Sequence, residues 1–253
     1  MTLLYHDVAP RGEFDSVGFP GPLAARYKLE PAAFDAHLTA IVAIGLEVGL
    51  IEESSRPPVA FSFDDGGSRS LSTADALESR GWRGHFFVTT GLLERPGFIG
   101  AEEVTELRRR GHIVGSHSHS HPTLMGKLAP AQIEEEWRRS RDVLGGVLGE
   151  EPKHASVPGG YLSQAVIHGA AYAGYRVLMT SEPVSTVYTL DQLQVFGRYS
   201  ISSTTSPSTA AAYAAGGRSA RARLSWRTKQ IVKTISPAGY ELLRRLGARA
   251  SQL

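Results

Sequence analysis

Cysteine is absent from this 253-residue chain. That excludes a disulfide framework, thiolate nucleophiles and sulfur-ligated metal, so any bound metal has to be held by His, Asp or Glu. Long apolar runs are missing too: no stretch approaches the roughly 18 uncharged apolar residues of a membrane span. The start, Met1-Thr2-Leu3-Leu4-Tyr5-His6-Asp7, lacks the basic residues and apolar run of a secretory leader. The expectation from these absences is a cytoplasmic protein. What is present is ordinary for a folded domain, with 42% hydrophobic and 21% charged side chains and enough chain to bury one large core.

Charge is unevenly placed. Residues 205–253 carry nine Arg and Lys against the single acid Glu241, a net +8 in a chain whose total is +2. A basic tail on an acidic body fits contact with an anionic membrane surface, which would make the protein peripheral on the inner membrane face. A solvated helix face accounts for the same charges equally well. Trp226 and Tyr240 lie in this tail without a recognisable reader motif, so nucleic acid is not an expected partner.

Short apolar runs rich in β-branched and aromatic residues fall at 3–8, 59–63, 85–89, 112–115, 154–157, 176–180 and 194–199. Between them lie segments of helical spacing at 32–44, 68–79, 101–110, 130–148 and 163–173, several ending in glycine. Alternating strand and helix predicts a mainly parallel sheet, and about seven strands in one run of chain favour barrel-like closure. The segment 9–28, with its glycines and prolines, is long for a connection in a compact domain, and such segments often face substrate. A Ser/Thr run at 202–208 reads as a linker, so residues 1–204 form the expected catalytic domain and 205–253 a basic helical extension.

Three segments carry chemistry. In Phe61-Ser62-Phe63-Asp64-Asp65-Gly66-Gly67 an apolar strand runs into two carboxylates, at the strand end where parallel α/β folds place active sites. Adjacent strand residues point to opposite sides, so the pair converges only if the backbone turns there, which the glycines permit. A plain turn, with Asp65 or Ser68 capping the next helix, is the alternative. In Gly115-Ser116-His117-Ser118-His119-Ser120-His121-Pro122 three histidines follow another predicted strand. Two imidazoles and one carboxylate, with other positions open to water and substrate, make a catalytic metal site. Ser156-Val157-Pro158-Gly159-Gly160-Tyr161 could aim a backbone N–H into a site as an oxyanion hole requires.

Together these segments resemble the polysaccharide deacetylase family, also known as the NodB-homology domain or carbohydrate esterase family 4. Its first motif, Thr/Ser-Phe-Asp-Asp-Gly, is matched by residues 62–66, and its second, His-Ser/Thr-x-x-His, by residues 117–121. The resemblance spans roughly residues 1–200. It implies a distorted (β/α)7 barrel, Asp64 as general base, and Asp65, His117 and His121 as ligands of a divalent metal, usually zinc, with cobalt or nickel as alternatives. His119 is not a ligand in that pattern. The implied substrate is an N-acetylated amino sugar in a polysaccharide, an oligosaccharide or a lipid-linked precursor.

The third family motif, Arg-x-Pro-x-Gly, keeps only its Pro-Gly part, because Ser156 stands where the base-orienting arginine should be. The candidate oxyanion donor is the N–H of Gly159. The last motif, a strand ending in a catalytic histidine, normally lies near the C-terminus, yet no histidine follows His168. Leu3-Leu4-Tyr5-His6-Asp7 reads like that motif moved to the front, followed by a helix carrying Phe34. This resembles the circularly permuted branch containing the biofilm poly-N-acetylglucosamine deacetylases, and it makes His6 the expected general acid. Two other readings remain: a barrel that binds sugar without turnover, suggested by Ser156 and the missing C-terminal histidine, and a deformylase of a lipid-linked amino sugar. His37, His85, His112, His154 and His168 show no spacing that links them to the site, and are expected to be structural or surface residues.

Overall fold

A computed structural model of the protein describes residues 1–51, 59–160, 162–185, 187–190, 192–217, 224, 226 and 228. The basic residues of the C-terminal extension, and Tyr161 of the third motif, lie outside the described residues. In chain order the elements are β1 (Thr2–Tyr5), α1 (Pro22–Ala25), α2 (Pro31–Val42), β2 (Ala60–Phe63), α3 (Ser70–Glu78), β3 (His85–Val88), α4 (Ala101–Arg109) and β4 (Ile113–Ser116). Then follow α5 (Pro130–Leu148), β5 (His154–Ser156), α6 (Gln164–Tyr172), β6 (Val177–Met179), β7 (Tyr188–Leu190), β8 (Leu193–Phe196), β9 (Tyr199–Ser200) and α7 (Pro207–Ala214). Among the described residues no helix is long and apolar enough to cross a membrane.

The helices form where local chemistry agrees with the apolar period. In α5, Pro130 occupies the first turn, where its missing N–H costs nothing, and the Gln132 side chain accepts from the Ala129 N–H. Gly149 closes the helix in the left-handed region at φ 70. Its buried residues Ile133, Trp137, Ser140 and Leu144 recur at helical spacing and face the sheet. Each large apolar side chain buried this way contributes about 1.5–3 kcal/mol.

The nine strands of the described residues join one sheet in the order β7-β8-β6-β5-β4-β3-β2-β1-β9, parallel throughout except for the β7–β8 hairpin. The seven apolar runs expected as strands all carry strand in the sheet. The apolar run at 194–199 divides into β8 and β9 at Gly197-Arg198, and β7 is a short, largely exposed edge strand without the apolar alternation that reveals a buried one.

The sheet curls into a distorted barrel. β2 and β8 stand five places apart in the strand order, about 24 Å if the sheet were flat. Yet Ala60 of β2 and Phe87 of β3 share one buried cluster with Val177 and Met179 of β6 and Phe196 of β8. Opposite walls therefore meet. The pleat then sorts β2: Ala60 and Ser62 face the barrel interior, while Phe61 and Phe63 face outward, where Phe63 packs edge-on against Phe34 of α2. Asp64 continues the inward column. The helix α7 falls past residue 204, the expected end of the catalytic domain, and buries Ala210, Ala211 and Ala214 in the core cluster that also holds residues of α2 and β1.

Four of the histidines away from the motifs, His37, His85, His112 and His154, make scaffold hydrogen bonds. His85 points into the barrel floor, where its Nδ1–H donates to the Phe61 carbonyl (3.0 Å) and its Nε2 accepts from the Ile51 N–H (3.0 Å). The bond accepted by Nε2 needs the neutral ring. Burial, then the neighbouring His154, push its pKa down to about 3 from an ordinary 6.5. Between those values the unfolded chain takes up a proton that the folded one refuses, so stability is lost as pH falls from about 6.5 toward 3. We expect His85→Asn to flatten the pH dependence of stability in this window by about 1.4 kcal/mol per pH unit. Urea unfolding of chelator-treated protein at pH 7, 6 and 5 checks this, and a slope unchanged by the substitution would contradict it.

Candidate active site

The sequence left two adjacent aspartates that an ideal strand would point apart. β2 ends at Phe63, and Asp65 itself takes the left-handed conformation at φ 79, followed by Gly66 at φ 80. That turn swings the Asp65 carboxylate back toward the histidine segment. The turn-only alternative fails, because α3 begins only at Ser70, whose hydroxyl donates to the Gly67 carbonyl, and Asp65 caps nothing.

The histidine segment is bent in the same manner. Ser118 and His121 lie at φ 63 and φ 57, so three of the four described non-glycine residues with positive φ belong to this one site. Each costs of order 1–3 kcal/mol and persists only where the surroundings over-determine it. Here they do: Ser118 Oγ accepts from the His121 N–H (3.1 Å), while Glu136 of α5 accepts from the N–H groups of His119 (3.0 Å) and Ser120 (2.8 Å). His119 turns away, its Nδ1 on the Thr90 hydroxyl (3.0 Å), in keeping with a non-ligand.

The outcome is a compact donor set. One ligand atom each from Asp65, His117 and His121 lie within 4.8 Å of one another, with Asp65 Oδ1 3.5 Å from His117 Nε2 and 3.4 Å from His121 Nε2. His117 Nδ1–H donates to the Ser156 carbonyl (3.1 Å), which sets the tautomer and leaves Nε2 as the lone-pair donor facing the carboxylate. Two imidazole nitrogens and one carboxylate suit a divalent transition metal in an open, catalytic arrangement. Burial would raise the Asp65 pKa, but the hydrogen bond from His121 and the charges of His6, His121 and His117 hold it well below the ordinary carboxylate range.

Asp64 is buried against a guanidinium that sequence reasoning did not find. Arg198, between β8 and β9 and fully buried, meets Asp64 end-on: Nη1 to Oδ1 at 2.7 Å and Nη2 to Oδ2 at 2.8 Å. Its remaining donors go to Ser62 Oγ (3.1 Å), Ser156 Oγ (2.7 Å) and the Thr180 carbonyl (2.9 Å), so all five N–H groups are satisfied. Ser156 donates in turn to both oxygens of Asp64. The residue that stands in place of the motif arginine thus joins the replacement arginine to the carboxylate. Burial works to raise the Asp64 pKa, and Arg198 and His117 outweigh it, keeping the group ionised. The available signal was a lone arginine inside an apolar strand segment, a residue type almost never fully buried unless paired.

His6 follows β1, which lies between β2 and β9 in the sheet. It acts electrostatically on both aspartates, and its buried Nδ1 has no hydrogen-bond partner. The front strand therefore brings its histidine to the aspartate pair. Gly159 sits two residues beyond Val157 in a tight turn at φ 62, where a Cβ would stand 2.6 Å from the Thr123 carbonyl, so glycine is obligatory there. The remaining histidines lie elsewhere: His37 on Thr205, His112 on Glu78, His154 on Ile51 and His168 exposed on α6.

A parallel barrel with an Asp-Asp pair and two histidines at its open end defines a class of hydrolase, and comparison with known proteins names the family. The family model for polysaccharide deacetylase matches residues 52–178, about half of the chain, and the protein belongs to that family. The match begins after His6 and ends before Arg198, so both lie outside the stretch in which the family is recognised. The family member YxkH of Bacillus subtilis (strain 168) is 24% identical over 133 residues, 52% of this chain and 47% of that protein. The chain thus spans about half the length of this curated relative. BC0361, a polysaccharide deacetylase from Bacillus cereus, superposes with a TM-score of 0.69 at 20% identity, over 84% of this chain and 68% of that one. A de-N-acetylase from Aggregatibacter actinomycetemcomitans gives a TM-score of 0.68 at 17% identity, over 84% and 98%. These superpositions establish the distorted barrel expected from the sequence.

Proposed function

We propose that this protein is a metal-dependent hydrolase that removes the N-acetyl group of an amino sugar. One observation carries the reading: an ionised, fully hydrogen-bonded carboxylate, Asp64, adjoins an Asp65–His117–His121 donor set, with His6 acting on both. The family's use of a divalent metal agrees with that donor set.

Asp65, His117 and His121 would hold a divalent ion, proposed to be zinc, and that ion would supply polarisation of the acyl carbonyl and acidification of water. The chain's own groups do the rest. Asp64, kept ionised and oriented by Arg198 and Ser156, accepts the proton of the attacking water. The Gly159 N–H donates to the oxyanion of the tetrahedral intermediate. His6 delivers a proton to the departing nitrogen, so that the C–N bond breaks to give acetate and a free amine. The de-N-acetylase relationship supports an acetyl group on nitrogen as the one removed.

The inert-barrel reading drew on Ser156 and the missing C-terminal histidine. Two observations favour the enzyme over it: Arg198 pairs with Asp64, and His6 follows Tyr5, the register partner of Phe63, which precedes Asp64. The test is acetate release from N-acetylglucosamine oligomers by protein purified without a histidine tag, before and after chelation and zinc addition. Release that is lost on chelation and restored by zinc is the expected result. Release of formate from an N-formyl analogue, with no acetate, would shift the reading to deformylation.

A further inference from the structure

The two histidines of the donor set reach it from different supports. His117 still follows β4: its N–H donates to the Val88 carbonyl (2.8 Å) as the next rung of the ladder, and its ring is tied to the Ser156 carbonyl. His121 stands five residues past the end of β4, at the close of a turn in which Ser118 and His121 both have positive φ. Its backbone N–H goes to Ser118 Oγ, inside the same turn. The place of His121 therefore depends on whatever holds residues 118–121.

Helix α5 holds them from outside the barrel. Glu136 Oε2 accepts from the N–H groups of both His119 and Ser120, and Glu136 Oε1 accepts from the Ser120 hydroxyl (2.6 Å). Bonds to an ionised carboxylate are stronger than bonds between neutral groups, and three of them here fall on one short turn. Four residues along the same helix face, the buried Ser140 hydroxyl lies 2.6 Å from that of Ser116, whose oxygen accepts the Ser118 N–H (3.0 Å). The segment after β3 meets the turn as well, with the Gly91 N–H on the His119 carbonyl (2.7 Å) and the Thr90 N–H on the Ser118 carbonyl (3.3 Å). A Cβ on Gly91 would stand 2.7 Å from that His119 carbonyl, so the approach is as close as glycine allows.

We propose that Glu136 is a positioning residue for the metal site: by fixing the 118–121 turn from α5, it holds His121 Nε2 against Asp65 and so sets the affinity for the divalent ion. This rests on the metal-dependent reading and deepens it. With the turn fixed, all three donors stand assembled before the ion arrives. With the turn slack, two donors stay in place and His121 has to be ordered on binding, which weakens the site. Loss of a group that orients a ligand costs about 10–100-fold in metal affinity.

Metal-free protein without a histidine tag is titrated calorimetrically with zinc, urea unfolding of the metal-free form is followed alongside, and acetate release is assayed on its own. Glu136→Ala should weaken zinc by about 10–100-fold. Glu136→Gln should stay within about threefold of wild type, because its amide oxygen accepts the two N–H groups and the Ser120 hydroxyl can turn to accept from its nitrogen. Glu135→Ala removes the same charge one residue away, from a side chain that pairs with Arg138, and should also stay within about threefold. That control separates the hydrogen bonds from the field of the charge. Glu136 is part-exposed on a helix that alanine favours, so metal-free Glu136→Ala should remain folded. A zinc loss under about tenfold in Glu136→Ala, an equal loss in Glu136→Gln or Glu135→Ala, or a Glu136→Ala variant already unfolded without metal would each overturn the positioning role. Acetate release by a wild type whose variants all bind zinc alike would leave the deacetylase reading standing alone. The expected zinc affinities without acetate release would remove that reading instead, and a wild type that takes up no zinc would overturn both.

Discussion

Arg198→Met is expected to destabilise the protein by about 3–5 kcal/mol and to remove most of its activity, because it strands the Asp64 carboxylate in the barrel without its counter-charge. The loss should be far larger than the pair's net contribution to folding. Two charges taken out of water roughly offset their desolvation by mutual attraction, whereas one left alone bears the cost uncompensated. The double variant Arg198→Met with Asp64→Asn should therefore recover a large part of the lost stability while remaining inactive. Urea denaturation of the single variants and the double variant, alongside acetate release, checks both halves. A loss under about 1 kcal/mol in the Arg198 variant would mean that the buried bidentate pair is not formed in solution.

A second group of variants separates metal binding from proton transfer. Asp65→Ala and His117→Ala should lose the bound metal and acetate release together. Each removes one of three donors, and losing the His117 ring also leaves the Ser156 carbonyl without the N–H that it accepts. Asp64→Asn should keep about one metal ion per chain and lose about 10²–10⁴-fold in kcat, the usual contribution of a positioned base. Elemental analysis read against acetate release gives the answer. Metal retained in the Asp65 and His117 variants, or lost with Asp64→Asn, would reverse the assigned roles.

The strands and helices that flank the site were largely readable, because burial on both faces leaves continuous apolar runs and helices leave a 3.6-residue period. β7 was not readable. Tyr188-Thr189-Leu190 is short and mostly exposed, so no alternation marks it. At 194–199 the apolar run was visible but its break was not, since Gly197 and Arg198 are shaped by distant partners: a Cβ on Gly197 would stand 2.4 Å from the Glu182 carbonyl. The convergence of Asp64 and Asp65 was conditional on a turn that the glycines allowed. The turn occurs one residue earlier than the glycines, at Asp65 itself, and tertiary hydrogen bonds rather than residue preference hold such a conformation.

By itself the sequence determined which chemical groups are available and near which strand ends they lie. Without cysteine the donors had to be oxygen and nitrogen, and the two family motifs already marked Asp65, His117 and His121 as a ligand set. Only the tertiary structure decided how Asp64 is held. Asp64, Ser156 and Arg198 come from β2, β5 and the end of β8, and Arg198 is 134 residues from the carboxylate it binds. A contact across that distance imposes no period and no local propensity on the chain. It exists only because the sheet curls until opposite walls touch, a property of the whole sheet that no single strand carries.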